Sequence, residues 1–275
     1  SARIKALEAQ CGLPLLTREA RGVRLLPQGE AFLHHARLML NQTDRLRDEL
    51  LAYGGGLRGH LRVFANTTAV TDFLPELLPA FLAAHPRINV DLQEKPNAQI
   101  PRGVLEGRAD IGIVAGDVDT LGLEAIHFST DRLVLATSRR HRFARRRRIA
   151  FAETLDEDAV GMQPGSTLQA FLAQITEHLG RRQKLRIQLA SFDAMCRMIG
   201  SGVGIGVVPE SAVRRNQQSM QLALIELSDA WSVRERYLLM RDRASLPIYA
   251  AALVDALCAH YAQPTVAPKG RQPAP

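Results

Sequence analysis

The sequence contains no run of 18 or more apolar residues, so no segment reads as a membrane span. Its first residues, SARIKALEAQ, have neither an initiating Met nor the apolar core of a signal peptide. A cytoplasmic fragment truncated at its N-terminus is therefore expected. Cysteine is scarce: Cys11, Cys196 and Cys258 are an odd number at unrelated spacings. They read as thiols in a reducing compartment, and a disulfide framework is excluded. The eight histidines show no metal-ligand spacing, and the adjacent His34 and His35 point to different sides of a helix. Ser166 and Thr167 sit in no nucleophile elbow, and Cys196 has no nearby His in the sequence. Neither a catalytic constellation nor a metal or cofactor site emerges from the linear pattern.

With 275 residues and 46% hydrophobic content, the chain can form one large domain or two ordinary ones. The net charge of +7 suggests nucleic acid, but its distribution weakens that inference. Seven arginines fall within SRRHRFARRRR (Arg139, Arg140, Arg142 and Arg145 to Arg148). A solvated surface loop is the plain reading of that run; contact with DNA, acidic lipid or an acidic partner is the alternative. The run Gly202-Val203-Gly204-Ile205-Gly206 invites a dinucleotide-binding reading. It enters a strand instead of leaving one, so no helix N-terminus follows in place to hold a diphosphate. A tight turn into a buried strand is the expectation.

Three tracts can be separated. Residues 1–26 are short, basic and rich in turns. Residues 27–53 hold no Gly apart from Gly29 and no Pro apart from Pro27, and read as one helix. Along it Phe32, Ala36, Met39, Thr43, Leu46, Leu50 and Tyr53 step alternately by four and three, an a/d seam flanked by charged residues. Either the helix packs on its own domain or it pairs with a second copy; pairing is favoured because no adjacent sequence offers enough surface to cover it. Gly54-Gly55-Gly56 then breaks the helix. The chain from Leu57 reads as an α/β tract of strands such as LRVFA, INVDLQE and ADIGIVAG separated by helices. That alternation predicts a mostly parallel sheet with ligands at the carboxyl ends of its strands. Thr67 and Thr68 are placed to cap the helix carrying Phe73, Leu77, Leu78 and Phe81, which His85-Pro86 stops. The Pro-rich tail, 264–275, is expected to be disordered.

The segment IKALEAQCGLPLLTREARGVRLLPQGEAFLHHAR resembles the second half of the winged helix-turn-helix of LysR-type transcriptional regulators. Ile4, Leu7 and Glu8 match the end of the recognition helix. Cys11 to Leu16 match the turn, Arg18 and Arg21-Gly22-Val23 the basic wing, and Leu25 to Gly29 the start of the linker helix. Two positions depart. Leu16 replaces a Phe, and Leu26 replaces a Thr, removing an N-cap oxygen typically worth about 1 kcal/mol. Downstream, L-R-V-x-A, the L-P-x-L-L-x-x-F-x-x-x-H-P pattern, LEGRADIGIV and SFDAMCRMIGSGVGIGVVPESAVRR resemble the effector domain of the same family along nearly its whole length.

The resemblance implies an α/β, two-lobed, periplasmic-binding-protein-like effector domain after a linker helix and the remnant of a DNA reader. Residues 1–26 would be the partial DNA-binding domain and 27–56 the dimerisation helix with its glycine hinge. Residues 57–263 would be the effector domain, with lobe one at about 61–134 plus 240–262 and lobe two at about 135–239. Arg3, Lys5, Arg18, Arg21 and Arg24 are the implied DNA contacts. Thr67, Thr68 and Asn97 from lobe one, with Gln163, Ser166, Thr167 and Phe192 from lobe two, are the implied effector contacts. Hydroxyls and amides at helix N-termini suit a small anion. The implied partners are double-stranded DNA, a small-molecule effector, a second copy of the chain (a homodimer, or a tetramer) and RNA polymerase, with no membrane. Two other functions share the shape: a free-standing solute-binding protein, and an α/β enzyme with a base or Lys in the cleft.

Overall fold

A computed structural model of the chain describes residues 2–19, 22–52 and 59–262. Arg21, Tyr53, the glycine hinge at 54–56 and the tail at 264–275 lie outside the described residues. The chain opens with helix α1 (Ala2–Cys11), followed by a hairpin of β1 (Leu16–Glu19) and β2 (Gly22–Leu25). Glu8 Oε1 accepts from the amides of Leu15 (2.8 Å) and Leu16 (3.2 Å), so the carboxylate at the end of α1 holds the turn into the hairpin. Helix α2 (Pro27–Ala52) starts with Pro at its first position, where the missing N–H costs nothing. Leu26 brings no capping oxygen, but its own amide bonds Leu15 O (3.0 Å), and Gln28 Nε2 donates to Pro14 O (2.7 Å). Tertiary contacts with the hairpin thus replace the lost cap. A Cβ on Gly29 would lie 2.0 Å from Leu15 O, so this close approach requires glycine.

On α2 the expected seam is uncovered within one chain. Met39, Leu46 and Leu50 are more than half exposed, and Leu40 beside them equally so. Phe32 and Ala36 are partly buried, and Thr43 is exposed with its hydroxyl turned back on Met39 O (3.0 Å).

The α/β tract begins with β3 (Gly59–Ala65), helix α3 (Leu74–Ala84), β4 (Ile88–Glu94), α4 (Ile100–Leu105) and β5 (Ile111–Ala115). Strand β6 (Glu124–Ser138) follows, then β7 (Arg148–Ile149), β8 (Asp158–Met162), α5 (Thr167–His178), β9 (Lys184–Leu189) and α6 (Phe192–Gly200). The chain continues through β10 (Gly206–Pro209), α7 (Glu210–Asn216), β11 (Leu222–Leu227), β12 (Val233–Met240) and α8 (Ile248–Ala262). Strand β3 pairs in parallel with β4 and β5, β11 with β7, and β8 with β9. Strands β6 and β12 run antiparallel to each other, β12 antiparallel to β5, and β10 and β11 antiparallel to β6. The sheets are therefore mixed, and the expectation of a mostly parallel sheet is corrected. The reason is topological: one strand carries the chain out of the first lobe and another brings it back, so the two must run in opposite senses.

The 15-residue β6 is shared. Its residues 124–132 pair with β12, and its residues 133–138 pair with β10 and β11. Two larger apolar cores lie on either side of this division, with a smaller cluster around Phe64, Ile100 and Leu239 in the first lobe. One gathers Leu61, Val63, Phe73, Leu74, Ile113, Leu238 and Leu253; the other gathers Leu135, Phe151, Met162, Leu172, Phe192, Val208 and Ile225. The glycine run is used for packing inside the second lobe. A Cβ on Gly204 would meet Asp158 O at 2.4 Å and one on Gly206 would meet Val160 O at 2.8 Å, so only glycine lets these backbones meet. The arginine-rich segment is pinned: Phe143 is buried, with the guanidiniums of Arg142 and Arg146 at 4.6 and 5.2 Å from its ring centre. Arg142 also bonds Glu157 and Arg146 bonds Glu153, each at 2.7 Å.

Gly29→Ala should loosen the hairpin from α2 while leaving the two lobes intact. Limited proteolysis should cut sooner within residues 12–26, with the main thermal transition unchanged; equal protection in both proteins would refute the close-approach account.

Candidate functional site

The carboxyl ends of β3 and β5 and the segment leading into α3 form one wall of the lobe junction. Sequence reasoning assigned the helix cap here to Thr67 and Thr68. The structure gives it to Asn66, whose Oδ1 accepts from the Ala69 amide (2.9 Å) and whose backbone O accepts from Val70 N (3.1 Å). Thr67 and Thr68 already lie in helical backbone beyond the cap, and Thr68 (φ −61°, ψ −40°) makes no capping bond. The cap assignment is corrected because an Asx side chain at the last extended residue reaches the third amide, which a threonine inside the first turn cannot. Thr67 instead donates to Glu94 Oε1 (2.5 Å) at the end of β4. Both threonines are buried. Asn97 joins the same wall: its Oδ1 accepts from Asn66 Nδ2 (3.1 Å) and its Nδ2 donates to Ala115 O (2.7 Å). The helix then passes through a π-helical turn, Ala69–Phe73, before becoming α3.

The residues expected from the second lobe lie at the start of α5. Ser166 is its N-cap, with Oγ accepting from the Gln169 amide (3.1 Å). Thr167 follows, and its Oγ1 is buried with no hydrogen-bond partner among the described residues. Gln163 is exposed in the preceding loop. Phe192 is 2% exposed within the core of the second lobe, so its ring packs among apolar side chains and is not presented with them.

Between the lobes run the crossing segments of β6 and β12, which sequence reasoning did not single out. Asp131 and Arg236 form an ion pair at 2.8 Å with both side chains under 10% exposed. The Arg236 guanidinium also sits 4.5 Å from the Phe73 ring centre. Arg234, two residues back on the same strand face, is 5% exposed. Its Nη2 donates to Ala115 O (2.7 Å) in the first lobe, and its guanidinium lies 5.2 Å from the Phe171 ring centre in the second. Phe171 stands one turn after Thr167 on α5, so Arg234 links the two lobes. Burial pushes the Arg234 pKa down, with neighbouring Asp131 opposing; burial likewise pushes the Asp131 carboxyl up, against the pull of Arg236.

A further bridge joins the lobes through the π-helical turn. Asp72 accepts from the Ser211 hydroxyl and pairs with Arg215 (2.5 Å), which also reaches Glu76 (3.2 Å). Among the described residues, the buried side-chain polar atoms without a hydrogen bond are Asp72 Oδ1, Ser129 Oγ, Asp131 Oδ2, Thr167 Oγ1 and Arg236 Nε. All belong to the segments just described, although Asp72 Oδ1 is engaged ionically by Arg215. Native interiors leave few such atoms. The only sequence signal for this cluster is the Arg-x-Arg alternation in VRERY, which would put both guanidiniums on one strand face.

Comparison with known proteins gives a consistent result. Residues 54–262 match the family described as LysR substrate binding domain. The HTH-type transcriptional regulator CysL of Bacillus subtilis is 24% identical over 229 residues, covering 83% of this chain and 77% of that protein. Among solved structures, the regulatory domain of Synechocystis CcmR in complex with 2-PG superposes with a TM-score of 0.63 at 24% identity, over 74% of this chain and 98% of that one. Full-length CbnR complexed with its target DNA superposes with a TM-score of 0.59 at 22% identity, over 93% of this chain and 87% of that one.

Asn66→Ala should destabilise the protein by about 1–2 kcal/mol, because a cap and the bridge to Asn97 are lost together. Thr68→Val should cost less than about 0.5 kcal/mol. Urea unfolding of both variants checks this, and the reverse order would restore the cap to Thr68.

Proposed function

The chain belongs to the LysR substrate-binding domain family, and on that premise we propose that it is a DNA-binding transcriptional regulator controlled by a small-molecule effector held between its two lobes. The observation that carries this reading is the family match across both lobes, on a chain whose N-terminal part is a helix, a basic hairpin and a long helix in sequence. The relatives are named as transcriptional regulators, which favours this over a free-standing solute-binding protein or an enzyme of similar shape. We assign no catalysis to the chain. No described helix is long and apolar enough to cross a membrane, and we place the protein in the cytoplasm as part of this proposal.

In this reading residues 1–26 are the DNA-binding part, 27–56 the dimerisation helix and its hinge, and 57–263 the effector domain. Arg18 and Arg24 of the hairpin, together with Arg21, supply phosphate contacts, with Arg3 and Lys5 on α1. The described cations are exposed, as phosphate contacts must be, although Arg24 pairs with Glu19 at 2.8 Å. The uncovered seam of α2 joins a second copy of the chain. The effector lies against Thr67, Thr68 and Asn97 on one side and Gln163, Ser166 and Thr167 on the other. Phe192 supports that second side from within the core. The structural neighbours crystallised with 2-PG and with shikimate support a small molecule as the controlling ligand.

Two measurements test the reading. Arg18→Ala should make the salt dependence of DNA binding shallower by about 0.9 in the log–log slope, one phosphate contact's share; an unchanged slope removes Arg18 from the interface. Met39→Asp combined with Leu46→Asp should convert dimer to monomer in sedimentation velocity. A dimer that persists would move the contact to the effector lobes. The regulatory part of the proposal fails when no small molecule, charged or neutral, alters the DNA affinity of the parent chain.

A further inference from the structure

We propose that Arg234 is the charge-reading residue of the effector site, its guanidinium binding a carboxylate or phosphate group of the ligand at the lobe junction. This rests on the effector reading above. Arginine cannot shed its charge at ordinary pH, so burying it demands compensation. Two arginines, Arg234 and Arg236, lie on the inner face of β12, both under 7% exposed. The one buried carboxylate on the facing strand, Asp131, stands opposite Arg234 in register and acts on it through its charge, but its ion pair is with Arg236. Among the described residues no acidic side chain bonds Arg234. Its hydrogen bonding consists of one bond to Ala115 O, while the guanidinium carries five N–H donors. Phe171 covers one face of the cation and solvates no N–H edge.

The surroundings suit an oxyanion. The fork of a guanidinium matches a carboxylate or phosphate with two parallel N–H···O bonds. Thr167 Oγ1, buried and unpartnered, sits one helical turn from Phe171 at the positive end of α5 and can supply a further donor. Gly116 adopts φ +82°, and a Cβ there would lie 3.2 Å from Arg234 Nε, so the backbone turns in a conformation that leaves room for this side chain. Arg234 and Asn97 share the Ala115 carbonyl, which ties the guanidinium to the wall carrying Thr67 and Thr68. These observations favour a ligand that carries a carboxylate or phosphate over its neutral isostere.

The test uses the whole chain, inorganic phosphate and benzoate as anionic probes and benzamide as the neutral one, at constant ionic strength. The parent should gain thermal stability with increasing phosphate or benzoate and none with benzamide, because a ligand bound only by the folded state raises the melting temperature. Arg234→Gln should lose the response, its dissociation constant weakening by about 10- to 100-fold, the scale of a lost charge-assisted hydrogen bond. Arg234→Lys keeps the charge without the fork and should bind the anions about tenfold more weakly than the parent; it carries the test where Arg234→Gln does not fold. An undiminished anion response in either variant overturns the proposal. So does a parent that treats benzoate and benzamide alike, or one that responds to neither anion. In each case the effector reading stands or falls separately, on whether any small molecule changes DNA affinity.

Discussion

Two strands carry the chain between its lobes, and the buried charges at their crossing set most of what the structure can do. Strands β6 and β12 run side by side from one core to the other, and where they pass the junction they present Ser129, Asp131, Arg234 and Arg236 in place of apolar side chains. A polar crossing costs stability compared with an apolar one of equal volume. Its consequence is that the lobes are not fused by a continuous core. Each packs its own apolar cluster, and what joins them is a ladder of backbone bonds with a few charged side chains. Relative motion of the lobes therefore disturbs ion pairs and leaves both cores intact.

The π-helical turn at Ala69–Phe73 belongs to the same economy of design. It places Asp72 within reach of Ser211 and Arg215 on α7, across the junction from the crossing strands, and Phe73 beneath Arg236. Such turns insert extra residues into a helix and recur at functional sites. Here the insertion lies directly after Thr67 and Thr68, so a ligand touching those residues touches the element that latches one lobe to the other. Tyr261 of α8 is partly buried against Phe73 and Phe128, and this burial pushes its phenol up to about 12.

The N-terminal part follows a different logic. Among its described residues the small hairpin has almost no core of its own, with Leu15 the one buried apolar side chain. It is held by backbone bonds, by Glu8 at the end of α1 and by the close fit of Gly29 under Leu15. The long α2 then projects a row of apolar residues that no other described element covers.

Much of this was legible without coordinates. Heptad spacing marked α2 and its exposed side, Gly and Pro marked its ends, and the strand–helix alternation gave the α/β class, because those features depend on residues a few positions apart. The glycine run was legible as a tight turn into a buried strand, here β10. The sheet's mixed sense was not legible, since it depends on which strands cross between lobes. Nor was the capping role of Asn66, which turns on where the helix begins by one residue. The position of Phe192 in the core was likewise hidden, because a residue at a helix start can face either way. Most of all, the sequence by itself determined that two arginines share one face of a strand, while only the tertiary structure decided that this face is buried. It did so by bringing Asp131, Ala115 and Phe171, residues between 63 and 119 positions away from Arg234, against one guanidinium pair. Charge compensation is a property of neighbours in space, and local sequence does not carry it.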